Sequence, residues 1–207
     1  MFLLILLPGL TGCGSYNRLV TLEQNVNKQW ADVQSVYQRR ADLIPNLVQT
    51  VAGAANFEKS TLTEVTNARA SVGQVKLDPS KAPTDAAELE KFQQAQGQLS
   101  TALSRLLVVS ENYPQLRATE AFHSLQVQLE GTENRISVER GKFNTAVQEY
   151  NTALEQFPTN MLNKMFGFKA RPFFNAQPGA DKAPEVKFDF NKPAATPAPA
   201  TSPAATP

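Results

Sequence analysis

Residues 118–157 read ATEAFHSLQVQLEGTENRISVERGKFNTAVQEYNTALEQF. An apolar side chain returns at every seventh position of this stretch, namely at Phe122, Leu129, Ile136, Phe143, Tyr150 and Phe157. Such a repeat is typical of the buried face of a long α-helix that packs against other helices. The stretch therefore predicts a helix from about Ala118 to Gln156, roughly 55–60 Å long at about 1.5 Å per residue.

Three upstream segments have the same helical spacing of apolar residues. The first covers about residues 16–55 and contains Pro45. Proline removes a backbone hydrogen bond and crowds the preceding turn, so we expect a kink in this helix near residues 41–44. The second segment covers about residues 57–75, and the third begins at Asp85, whose side chain is suited to cap a helix N-terminus.

Amphipathic helices of this kind bury their apolar faces on one another. We therefore expect an all-α fold, an elongated antiparallel four-helix bundle over residues 13–157 with long first and last helices. Proline-containing loops between segments favour hairpins within one chain. An extended intermolecular coiled coil is the alternative.

The N-terminal residues indicate a lipid anchor. The apolar run FLLILLPGL at residues 2–10 is too short to cross a bilayer but has the length of a signal-peptide core. The sequence Leu10-Thr11-Gly12-Cys13 resembles a bacterial lipobox, and Cys13 is the only cysteine of the chain. We expect residues 1–12 to be a lipoprotein signal peptide and Cys13 to be lipidated, although no Lys or Arg precedes the run. The expected location is the cell membrane or the outer membrane, with the bundle outside the cytoplasm.

The C-terminal residues differ in character from the helices. Residues 158–177 are rich in phenylalanine and methionine but too short to form a core of their own. We expect this segment to dock on the bundle; the alternative is an exposed apolar patch for a partner or a membrane surface. Residues 178–207 hold seven of the fourteen prolines and predict a disordered Pro/Ala/Thr-rich tail.

Composition excludes several functional classes. The 20 Lys and Arg residues nearly balance the 19 Asp and Glu residues, which argues against a nucleic-acid-binding protein. One Cys and one His exclude a disulfide framework and a zinc site built from several such ligands. We therefore expect no metal, no cofactor and no catalytic residues.

Charged residues interrupt the apolar faces of two helices. Arg40 occupies an apolar position of the first helix, and Glu133 and Arg140 lie in the middle of the last one. A charge near a helix interface needs a partner, because its desolvation is otherwise uncompensated. We expect Arg40, Glu133 and Arg140 to form a structural polar layer in which Arg40 pairs with Glu133 or a neighbouring carboxylate, fixing helix register.

Two alternatives give the bundle a ligand. Glu120 and His123 have the i, i+3 spacing that carboxylate di-iron bundles use on their helices. They would make a metal-handling bundle only with carboxylates from other helices. A small-molecule pocket near the Pro45 kink is the other alternative.

Several collinear motifs resemble those of the bacterial LemA family: YNRLV at 16–20, RRADLIPNLV at 39–48, YPQLRA at 113–118, TENRI at 132–136, KFN at 142–144, EYN at 149–151 and FGF at 166–168. The resemblance implies a membrane-anchored bundle of four long helices with no established enzymatic activity. Many members carry an N-terminal transmembrane helix, whereas this chain has a lipobox-like sequence. The expected function is a non-enzymatic structural or adaptor role in the bacterial envelope, with an unknown envelope protein as partner.

Overall fold

The computed structural model describes residues 7–157 and 159–175, and within these ranges all regular secondary structure is helical. The all-α prediction is confirmed. The helices are α1 Leu7–Ala52, α2 Lys59–Gln74, α3 Ala86–Ser110, α4 Pro114–Arg117, α5 Glu120–Glu155 and α6 Thr159–Phe166. The most extensive packing is of α1 along α5 and of α2 along α3.

Helix α5 buries the seven-residue repeat, with one exception. The first five members of the repeat are all at most 7% exposed: Phe122, Leu129, Ile136, Phe143 and Tyr150. The sixth, Phe157, is 79% exposed, so its assignment to the buried face is wrong. The helix ends at Glu155, and the extended backbone of Gln156 (φ −72°, ψ 144°) takes the chain off the helical register before Phe157 is reached.

Helix α1 runs from Leu7 to Ala52 with Pro45 inside it. It begins nine residues before the predicted start at Tyr16, so Cys13 lies within the helix. Pro45 has no N–H to donate to the carbonyl of Ala41 four residues earlier. The Nε–H of Arg69, on α2, donates to that carbonyl over 3.1 Å and satisfies it from outside the helix.

Side-chain caps begin two of the long helices. Asp85 accepts a hydrogen bond from the N–H of Ala87 at 2.9 Å and starts α3 at the position predicted from the sequence. Thr119 accepts from the N–H of Phe122 and starts α5. Asn56, between α1 and α2, has a φ of 62°, a conformation that asparagine tolerates better than most residues.

The buried side chains form two clusters along the length of the long helices. We call the first the aromatic half; it includes Trp30, Tyr37, Phe92, Ile136, Phe143, Tyr150 and Phe174. We call the second the aliphatic half; it includes Ile44, Leu47, Val65, Leu99, Leu106, Phe122 and Leu129. On α1 the boundary falls between Tyr37 and Ile44, which places Arg40 between the two halves.

Candidate functional site

Arg40 joins three helices at the boundary between the two halves. Its side chain is 2% exposed, although it carries a full charge. One guanidinium nitrogen donates to Oε2 of Glu133 on α5 at 2.7 Å and to Oγ of Ser100 on α3 at 2.9 Å. The other donates to the side-chain and backbone oxygens of Gln96, also on α3. These hydrogen bonds explain why a charged side chain is tolerated on the apolar face of α1, because each of them compensates part of the cost of removing Arg40 from water.

The two members of the ion pair differ in their access to water. Arg40 is buried, whereas the side chain of Glu133 is 49% exposed. A guanidinium does not lose its proton in proteins, so Arg40 itself serves as a fixed positive charge and hydrogen-bond donor. What the arrangement can do is fix the axial positions of α1, α3 and α5 relative to one another.

Arg140 lies one heptad beyond Glu133 and contacts other groups. Its guanidinium stands 4.9 Å from the ring centre of Phe174 and donates to Oε1 of Gln93 at 3.5 Å. Burial raises the pKa of the nearby Tyr37 phenol, and the positive charges of Arg140 and Arg40 oppose that rise. Arg140 therefore connects α5 with α3 and with the C-terminal residues inside the aromatic half.

The metal-handling alternative finds no support in the geometry. Glu120 and His123 both lie exposed at the start of α5. In residues 7–157 and 159–175, no group of three His, Cys, Asp or Glu side chains is placed to hold a metal ion.

A cavity of about 540 Å³ lies where the end of α1 faces the connection between α3 and α5. Thr50 and Gly53 line it on one side, and Pro114, Leu116 and Ala121 on the other. It lies beyond Pro45 towards the end of the helix. The hydroxyl of Tyr113, another lining residue, donates to the carbonyl of Asn56 at 2.9 Å and closes the nearby turn.

Two asparagines on α5 bind the backbone of residues 171–174. Asn151 donates to the carbonyl of Arg171 and accepts from its N–H, both at 2.9 Å. Asn144 makes the same pair of bonds with Phe174, at 3.0 and 2.9 Å. Seven residues of helix advance about 10.5 Å, which matches three residues of extended chain at about 3.4 Å each. The two asparagine side chains are therefore spaced to bind the backbone of Arg171 and of Phe174 at the same time.

Arg171 continues these contacts across the aromatic half. It is 9% exposed, and its guanidinium donates to the carbonyl of Ala82, in the α2–α3 connection, and to Oε1 of Glu23 on α1, both at 2.6 Å. Burial and, to a smaller extent, the negative charge of Glu23 raise the pKa of the adjacent Tyr150 to about 12, while Arg171 opposes the shift.

Asn144, Asn151 and Arg171 have no role among the expectations drawn from the sequence. A signal for the asparagines is present, because each directly follows a core aromatic, Phe143 or Tyr150, at the seven-residue spacing. No comparable signal marks Arg171, which lies outside every periodic segment.

The N-terminal part of α1 lies beside the C-terminal helix. The ring of Tyr16 is 5.0 Å from that of Phe166 and 5.7 Å from that of Phe168, measured between ring centres. Leu19 is the first buried residue of α1 whose side chain is described. In the described part of the chain, no helix combines the length and apolarity needed to cross a membrane.

These features define a class: an all-α bundle whose buried polar side chains hold helices and connecting segments together. The LemA family model matches residues 29–188. Because that match covers most of the chain, this protein belongs to the LemA family, and the resemblance seen in the sequence is confirmed.

Curated relatives share the greater part of the chain at low identity. Magnetosome protein MamQ of Magnetospirillum gryphiswaldense is 26% identical over 181 residues, covering 80% of this chain and 66% of the relative. Magnetosome protein MamQ 2 of Paramagnetospirillum magneticum is 25% identical over 185 residues with the same two coverages. Protein LemA of Metamycoplasma hominis is 22% identical over 147 residues, covering 71% and 63%. The chain thus spans about two thirds of the length of these relatives.

Proposed function

We propose that this protein is a lipid-anchored, non-enzymatic helical bundle of the bacterial cell envelope, with a structural or adaptor role towards another envelope protein. The observation that carries the proposal is the position of its one cysteine, Cys13, directly after the apolar run and the small residues Thr11 and Gly12. Small residues at these positions suit the entry of the backbone into a signal-peptidase cleft. The thiol would then carry a diacylglyceryl group, and the freed amine a further acyl chain.

The fold suits an anchor at this position. Cys13 and Leu19, the first described core residue of α1, belong to the same helix. Six residues of helix separate them by about 9 Å, so the bundle would begin close to the anchor. Several acyl chains hold a protein stably at a bilayer, whereas one alone is marginal. The bundle would lie at the surface of the cell membrane or the outer membrane, outside the cytoplasm.

A non-enzymatic role agrees with how the buried polar groups are used. Arg40 and Arg171, the two arginines buried in the described part of the chain, are directed at other helices and at backbone carbonyls. LemA family membership and the likeness to MamQ add weight to a role at a membrane.

The test is the Cys13→Ser variant, expressed in a bacterium with the lipoprotein pathway. We expect wild-type protein in the membrane fraction, with a diacylglyceryl mass on its N-terminal peptide. Cys13→Ser should lose that mass and be released or mislocalised. Cys13→Ser/Ser15→Cys keeps a thiol two residues away and should also stay unlipidated, which shows that position matters. Wild-type protein carrying an unmodified Cys13 would refute the anchor.

A small-ligand site is the second candidate, favoured by the cavity at the end of α1. Its volume of about 540 Å³ is in the range of pockets that take small molecules. An apolar probe such as a medium-chain fatty acid should raise the melting temperature of the wild type. Ala121→Trp, which fills the cavity, should abolish the rise. An equal rise in both proteins would place binding elsewhere.

A further inference from the structure

Apolar side chains are exposed at the end of the bundle where α1 begins. Tyr16 is 40% exposed, Phe166 46%, Met161 70% and Phe157 79%. We call these four residues the end patch. Tyr16 follows Cys13 by three residues on α1, and its ring contacts that of Phe166 at the end of α6. Tyr16 and Phe166 thus lie beside the predicted lipidation site, and Phe157 and Met161 belong to the stretch that leads from α5 into α6.

The other exposed apolar residues are differently placed. Val127 and Val138 are each 54% exposed and lie singly on α5. Val108, near the end of α3, is 63% exposed, and Phe173, in the extended chain after α6, is 43% exposed. Single apolar side chains are normal on protein surfaces, whereas a group of aromatic and methionine side chains marks an interaction surface.

The two segments that carry the end patch have one sign of charge. Residues 14–18 and 157–170 contain Arg18, Lys164 and Lys169 and no Asp or Glu. Arg18 and Lys169 are exposed, and Arg18 lines a shallow groove that the exposed Glu149 of α5 also lines. Glu155, which ends α5, is the nearest acidic residue before the second segment. Two segments that carry exposed aromatic side chains together with Arg18 and Lys169 fit a phospholipid bilayer whose acyl chains are apolar and whose headgroups are anionic.

We propose that the end patch inserts into the headgroup region of an anionic phospholipid bilayer, while Arg18 and Lys169 contact lipid phosphates. The proposal deepens the proposed function, on which it rests for the placement of this end of the bundle at a membrane. Tyrosine has an apolar ring and a polar hydroxyl, and it is enriched at this depth of a bilayer. An anchor one helical turn away makes insertion intramolecular, so a small patch suffices to hold the bundle in one orientation.

The first test locates residue 157 relative to the bilayer. Lipidated full-length Phe157→Trp is reconstituted into phosphatidylethanolamine/phosphatidylglycerol vesicles whose acyl chains carry bromine near the headgroups. Trp30 is the only native tryptophan and is fully buried, so its emission should be insensitive to bromine. We expect strong quenching at position 157 and none in the matched control Val127→Trp. Equal, weak quenching in both variants would overturn the proposal.

The second test works without the anchor, so that its result does not depend on lipidation. The mature form, residues 13–207 with Cys13→Ser and therefore without the apolar run at residues 2–10, is floated with vesicles, and the same chain with Phe157→Ser, Met161→Ser and Phe166→Ser is compared. Removing three apolar side chains should weaken vesicle binding at least about tenfold, because binding scales with apolar area inserted. Val127→Ser/Val138→Ser in the Cys13→Ser chain is the control and should bind as before. Vesicles of phosphatidylcholine alone should bind the Cys13→Ser chain less well.

The outcomes separate the two proposals. Unmodified Cys13 in the wild type refutes the anchor, whatever the vesicles show. Equal flotation of the Cys13→Ser chain and its three-serine derivative refutes membrane insertion of the end patch, even when the anchor is present. Should the three substitutions instead convert a dimer to a monomer without changing flotation, the end patch is a protein interface and the proposal is wrong.

Discussion

The two halves of the core are completed by different means. In the aliphatic half, α1, α2, α3 and α5 meet through apolar side chains on helical faces, and irregular chain adds Phe57 from the α1–α2 connection. The aromatic half also takes in irregular chain, which polar groups hold in place. The indole N–H of Trp30 donates to the carbonyl of Asp78 at 3.0 Å, and Asn27 accepts from the N–H of Ala82 at 3.0 Å. Arg171 then reaches both Ala82 and Glu23.

The difference teaches where the fold depends on single side chains. A helical face distributes its stability over many apolar contacts, so each residue is replaceable within limits of volume. An irregular segment buries backbone N–H and carbonyl groups that need specific partners, and each lost partner leaves a group unsatisfied. We therefore expect replacement of a polar residue in the aromatic half to destabilise only the segment it binds. Replacement of a polar residue at the Arg40 boundary should lower the stability of the whole bundle.

The largest effect is expected at that boundary. Glu133→Ala should lower the free energy of unfolding by about 3 kcal/mol, because it leaves the buried Arg40 cation without its counter-ion. Arg40→Met should cost less, since the carboxylate it leaves behind is 49% exposed and is hydrated again. Urea unfolding followed by circular dichroism measures both. The double variant should be more stable than Glu133→Ala alone.

Glu130→Ala is the matched control for this comparison. Glu130 is exposed on the same helix and accepts a hydrogen bond only from Gln126 among the described contacts, so its loss should cost under about 0.5 kcal/mol. Additive losses in the double variant, with Arg40→Met as costly as Glu133→Ala, would show that the two side chains are not coupled.

The aliphatic half and the boundary were accessible from the sequence. The spacing of apolar residues placed Phe122 and Leu129 on the buried face of α5, where they lie. A charge at an apolar position predicted a buried arginine with a carboxylate partner, and Arg40 lies 2.7 Å from Glu133. Periodicity fails where a helix ends, which is why Phe157 was assigned to the wrong environment.

The hydrogen bonds that hold residues 171–174 in the aromatic half could not be predicted from the sequence in the same way. Arg171 lies in extended chain, and its partners Ala82 and Glu23 are 89 and 148 residues away. Nothing in a single sequence fixes pairings over such separations, because no local pattern constrains them. Asn144 and Asn151 were visible as parts of short motifs. Their role follows only from the structure, where seven residues of α5 advance as far as three residues of the extended segment.

A second effect, of intermediate size, should be confined to the aromatic half. Asn151→Ala removes both hydrogen bonds to the backbone of Arg171, which is buried. We expect a loss of about 2 kcal/mol, seen as hydrogen exchange roughly 30-fold faster at the amides of Arg171 and Phe174. Exchange in the aliphatic half should change far less.

Asn134→Ala, at an exposed position of the same helix, is the control. Unchanged exchange at residue 171 in Asn151→Ala would mean that other contacts hold the segment.

The smallest effect is a loss of stability at alkaline pH, and it arises from Tyr150 in the aromatic half. The pKa of Tyr150 is raised to about 12 in the folded chain, mainly by burial, whereas an unfolded tyrosine has a pKa of about 10. Between these values the unfolded chain releases a proton that the folded chain keeps, so stability is complete below pH 10 and falls as the pH rises towards 12. The loss attributable to Tyr150 should be about 1–2 kcal/mol after solvent screening.

Tyr150→Phe should flatten this part of the pH profile in urea unfolding, while Tyr16→Phe, which removes an exposed phenol, should not. Identical alkaline profiles for wild type and Tyr150→Phe would mean that the phenol is as easily ionised in the folded chain as in water.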